Sequence, residues 1–197
     1  MLSIILNLII FLATLLAYID CFRTEEGSWS ASQGLGALRY FTLLSNLFCA
    51  LSALLIACAA LSGAVPRWIW LMKYIGTAAV TVTLLTVLFF LAPSAGYKNM
   101  LSGRDFHFHL CGPLLAIVSF CFCDRYYPLP FPLALTGVVP VLLYGSFYLY
   151  KVVLGPDEGR WDDFYGYNKN GKWPVAFTAM VVAAALICAL LWGLYRI

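Results

Sequence analysis

Apolar residues in this chain fall into long runs broken by short polar stretches, and the length of the runs sets the architecture. A helix needs about 20 mostly apolar residues to cross the hydrocarbon core of a bilayer. Six runs of that kind occur, over 2–19, 39–61, 68–91, 105–123, 131–153 and 174–194. They are bounded by Asp20, by the turn from Gly63 to Pro66, by Asp124 and by the polar stretches 92–104 and 154–173. None alternates with the period of a barrel strand, so the backbone must satisfy its own hydrogen bonds as helices. The reading is an all-α fold, a polytopic bundle of six transmembrane helices forming one transmembrane domain over 1–197.

Composition agrees. Hydrophobic residues make up 63% of the 197 positions and charged residues 11%, and mean hydropathy is +0.89. Soluble domains carry roughly 25% charged residues. The first run has no basic residue before it and no small-residue cleavage pattern, so it reads as a helix and not a removed signal. The seven cysteines are an odd number, and Cys49, Cys58, Cys111 and Cys188 lie inside the runs as small apolar residues. The net charge of +3 is dispersed, which gives no footprint for nucleic acid. No cofactor or metal motif is present, and the expected partners are membrane lipids.

Six spans put both termini on one face, with the short loops near Arg67 and Asp124. That face holds Arg67, Lys73, Arg125 and Arg196 against Asp124, whereas the long loops opposite have balanced charge. The positive excess of the short loops points to cytoplasmic termini.

Chemistry must come from polar residues that the membrane makes costly. In the second span Thr42, Ser45, Asn46, Cys49 and Ser52 share a helical face, which should turn into the bundle. In the third, Lys73, Thr77 and Thr81 form a similar stripe. Such stripes serve as hydrogen-bonding glue between helices or as the wall of a pocket. The fourth span opens Asp105-Phe-His-Phe-His-Leu-Cys-Gly-Pro113. His107 and His109 are two residues apart and point to different sides, so they cannot share one metal. His107 reads either as an interfacial residue or as part of a pocket, while Pro113 should disturb the turn that holds His109. Thr42 and His109 both sit a few residues inside their spans from the long-loop face, hence at similar depth at about 1.5 Å per residue. A hydroxyl beside a neutral imidazole is a nucleophile and base pair.

The run Arg39-Tyr-Phe-Thr42 and the run His109-Leu-Cys-Gly-Pro113, in a six-helix chain of this size, resemble the FAR-17a/AIG1-like membrane proteins. That resemblance implies a threonine-type hydrolase of fatty acid esters, with Thr42 as nucleophile, His109 as base and an amphiphilic acyl ester as substrate. Phe106 and His107 depart from the family's Asn-His-x-x-His run. Around such a pair, Asn46 and Ser45 would contact substrate or the oxyanion. The aromatic loop over 155–173 reads either as a lid carrying Tyr165, with Asp162 or Asp163 orienting the imidazole, or as a solvated loop anchored at the interface by its Trp and Tyr residues. The other reading is a noncatalytic membrane protein, a small transporter or a partner-binding scaffold, in which the same polar residues hold helices together.

Overall fold

The computed structural model describes residues 1–24 and 26–197. Glu25, one of the acids assigned to the long-loop face, lies outside the described residues. Among the described residues, six helices are long and apolar enough to cross a membrane. They are α1 (Leu2–Asp20), α2 (Phe41–Leu61), α3 (Arg67–Ala95), α4 (Gly103–Cys123), α5 (Phe131–Leu154) and α6 (Trp173–Arg196). The spans expected from hydropathy are all present. The largest difference is the end of α3, which continues past Leu91 through a wide i→i+5 turn at Val87–Leu91.

α3 is the hub. It packs against α2, α4, α5 and α6, and Trp70, Tyr74, Ala78 and Val80 on it are wholly buried. α1 lies outside, against α2 and α4. Close approach at the hub depends on glycine. A Cβ on Gly76 would come within 2.9 Å of the Cys49 Cα on α2, and one on Gly137 would come within 2.7 Å of Ala78 Cβ and Cys188 Sγ. Without hydrophobic drive between helices in lipid, such small-residue contacts let dispersion and interhelical hydrogen bonds hold the bundle.

Both ends of the chain gather at one end of the bundle. Ser3 Oγ lies 3.0 Å from Tyr126 Oη, and Tyr195 Oη donates to the Tyr127 carbonyl at 2.6 Å. At the opposite end the loops carry more structure. A short helix at Ala31–Gly36 is capped by Ser30, whose hydroxyl accepts from Gln33 N–H. Arg104 reaches the Asp20 carbonyl at 2.9 Å and its carboxylate at 3.7 Å, fastening the start of α4 to the end of α1. Both partners are partly exposed, so this pair adds little stability.

Two expectations about charge need correction. Lys73 is 0% exposed inside the bundle, not at the face to which the charge count assigned it, and Asp124 is 0% exposed although it ends a helix. The exposed charges of the terminal face are therefore Arg67, Arg125 and Arg196, so its excess is wholly positive.

Candidate functional site

The polar face of α2 does turn inward, as periodicity requires. Ser45, Asn46, Cys49 and Ser52 are buried and Thr42 is half-buried. Ser45 Oγ donates to the Thr42 carbonyl at 3.0 Å and lies 3.0 Å from Thr83 Oγ1 on α3. Asn46 does the most to shape the site. Its Nδ2 donates to the Thr42 carbonyl at 2.8 Å and to the Phe108 carbonyl on α4 at 3.1 Å. One amide thus ties the turn carrying Thr42 to the turn carrying His109.

That second bond is possible because α4 is irregular there. Residues His107–Cys111 form a wide turn in which Gly112 N–H reaches the His107 carbonyl, just before Pro113. Proline cannot donate, so the backbone rearranges around the group it leaves without a partner. The two histidines diverge as their spacing predicts. His107 is half-buried, with Nε2 2.9 Å from Thr14 Oγ1 on α1. His109 is buried, with Nδ1 2.6 Å from the Met100 carbonyl.

A carbonyl can only accept, so neutral His109 carries its proton on Nδ1 and its free lone pair on Nε2. The loop acids have other surroundings. Asp163 Oδ1 accepts from Tyr148 Oη at 3.0 Å and Tyr167 N–H at 2.8 Å, and its Oδ2 accepts from Asn168 N–H at 2.8 Å. Asp163 staples its own loop, and Asp162 is exposed. Neither hydrogen-bonds His109 among the described residues, and a backbone carbonyl orients the imidazole instead.

The candidate oxyanion donors differ in what their groups already bind. Both N–H groups of Asn46 are engaged by carbonyls, and its Oδ1, an acceptor, faces Gly112. Tyr165 offers a donor. Its hydroxyl accepts the Phe41 N–H at 3.0 Å at the first turn of α2, which leaves its own O–H to give. Burial pushes the Tyr165 phenol up, with the Phe41 N–H and the hydroxyls of Tyr144 and Thr42 acting the other way. The loop is bound to the mouth of the site by these contacts and by packing of Phe164 against Tyr40. Among the described residues no hydrogen bond joins Thr42 to His109 directly.

Sequence reasoning passed over Ser3, Asn7 and Thr14, which lie on one face of α1, and the junction of Asp124 with Asn7 and Ser119. The spacing of the α1 residues was a visible signal. Their partners, more than 90 positions away, were not.

The fold and these buried polar sites define a multi-pass integral membrane protein with a six-helix bundle. No family model, characterised protein or solved structure matches the chain.

Proposed function

We propose that the chain is a membrane-embedded hydrolase of fatty acyl esters, with the site at the long-loop end of the bundle. The observation that carries this reading is the buried His109, held by the Met100 carbonyl in the tautomer that presents Nε2 as a base. The site also has a half-buried hydroxyl at Thr42, on the helix that Asn46 ties to the His109 turn. The resemblance of the Thr42 and His109 runs to the FAR-17a/AIG1-like proteins supports the same pair.

In this mechanism His109 Nε2 takes the Thr42 proton as Oγ1 attacks the ester carbonyl. The Tyr165 O–H stabilises the oxyanion, and the C–O bond to the alcohol breaks as His109 returns the proton. Water, activated by the same imidazole, then releases the fatty acid from Thr42. Ser45 and Asn46 shape the wall and position α2. The substrate is an amphiphilic acyl ester drawn from membrane lipid, its chains lying among the helices and its ester near the interface. The wholly positive exposed charge of the terminal face supports cytoplasmic termini, which puts this site toward the opposite side.

A noncatalytic transporter is the second reading, favoured by the buried Lys73 and Asp124, since intramembrane charges often mark transport paths. An activated serine-hydrolase probe on the purified protein separates the two. Wild type should be labelled, Thr42→Ala should not, His109→Gln should react at least tenfold more slowly than wild type, and His107→Ala should keep most of the label. Equal labelling of folded wild type and Thr42→Ala would overturn the hydrolase reading.

A further inference from the structure

A cleft opens at the terminal end of the bundle, the end opposite Thr42 and His109. It is bordered by the run 128–131 at the entry to α5 and by Trp192, Tyr195 and Arg196 at the end of α6. Its volume is about 330 Å³, within the ~300–1,000 Å³ range of ligand clefts. The walls are stiff. Pro128 and Pro130 fix the backbone on either side of the buried Leu129. Phe131 meets Trp192 edge to face with ring centroids 5.2 Å apart, and Tyr195 is held by its bond to the Tyr127 carbonyl.

Two arginines stand on this aromatic frame. The Arg196 guanidinium lies 4.7 Å from the Trp192 ring centroid. Such a contact holds the side chain through its charge and keeps its N–H fork for an oxyanion. The Arg125 guanidinium lies 5.7 Å from the centroid of Tyr195, and its Nε donates to the Cys121 carbonyl at 2.6 Å. A second positive charge is thus fixed beside a ring that borders the cleft. The acid of this face does not offset them, because the buried Asp124 carboxylate is engaged by Ser3, Asn7 and Ser119. Below the cleft, Phe131, Leu135 and Val139 are exposed at four-residue spacing on α5, so they line one helical face with an apolar stripe.

We propose that this cleft binds the headgroup of an anionic phospholipid. Arg196 forks onto the phosphate, Arg125 adds attraction from beside Tyr195, and an acyl chain follows the Phe131, Leu135 and Val139 stripe into the bilayer. A positive headgroup cleft continued by an apolar stripe fits an anionic amphiphile better than a soluble anion, and basic pockets between transmembrane helices hold phospholipid headgroups in general. A zwitterionic lipid brings its own ammonium beside the phosphate and gains less from two arginines. The site is independent of the hydrolase reading, which concerns the other end of the bundle.

Native mass spectrometry of the detergent-purified full chain, titrated separately with phosphatidylglycerol and phosphatidylcholine, tests the site. Wild type should bind the first phosphatidylglycerol several-fold more tightly than phosphatidylcholine. Arg196→Gln should weaken phosphatidylglycerol about fivefold, the loss expected of one interfacial arginine, and leave phosphatidylcholine unchanged. Arg125→Gln should weaken it by a smaller factor. Arg67→Gln is the control, since Arg67 is an exposed charge of the same face but lies outside the cleft, and it should bind phosphatidylglycerol as wild type does. Equal wild-type affinity for the two lipids would overturn the proposal. So would equal losses in Arg67→Gln and Arg196→Gln, which would mean diffuse attraction to the face and no built site.

Discussion

Replacing Gly76 by alanine puts one methyl group where α2 and α3 are closest. The new Cβ would stand 2.9 Å from Cys49 Cα, 3.1 Å from Ser52 Oγ and 3.3 Å from Cys49 Cβ. Carbon atoms pack at about 3.5–4.0 Å, so α2 must retreat by roughly 0.6–1.1 Å. The nearest obstacle is backbone, which no rotamer change can move aside. Overpacking of this kind costs about 1–3 kcal/mol, against a gain of up to about 1 kcal/mol from replacing glycine within a helix. Gly193→Ala on α6 is the control, because nothing lies within 4 Å of its Cβ position. Equilibrium unfolding in mixed micelles, followed by tryptophan fluorescence, should find Gly76→Ala less stable than Gly193→Ala by about 1–3 kcal/mol. The retreat also moves Ser45 from Thr83 and shifts Thr42, so probe labelling should slow in the same variant. Equal stability of the two alanine variants would refute the close-packing argument.

Other outcomes follow from single contacts. Asn46→Ala should cost about 1–3 kcal/mol, because the buried Phe108 carbonyl loses its donor; wild-type stability in the unfolding assay would show that the bridge between α2 and α4 is unimportant. Tyr165→Phe leaves the Phe41 N–H without its acceptor and removes the proposed oxyanion donor, so probe labelling should fall while the helices stay folded by circular dichroism. Asp163→Ala removes the acceptor of Tyr148, Tyr167 and Asn168 and should speed proteolysis within 155–172, with unchanged cleavage counting against the staple. Reporter fusions should place both termini in the cytoplasm, and opposite locations for the two ends would mean that a span has been miscounted.

The sequence by itself determined the six spans, because the apolar length that crosses a bilayer is a local property of the chain. It also determined that Ser45, Asn46 and Cys49 face inward and that His107 and His109 part company, since both follow from helical period alone. Tertiary structure decided the partners. His109 is oriented by the Met100 carbonyl, a group that every residue type possesses and that leaves no mark in the sequence. Asp163 reads in the sequence as a candidate to orient the imidazole, and in the structure its oxygens accept from Tyr148 Oη and two backbone amides of its own loop. Lys73 and Asp124 looked like boundary charges by their position near span ends. Both are buried, and Ser3, Asn7 and Ser119 converge on the Asp124 carboxylate. For Ser3 and Asn7 that means contacts across 121 and 117 positions, which exist only once α1 has packed beside α4.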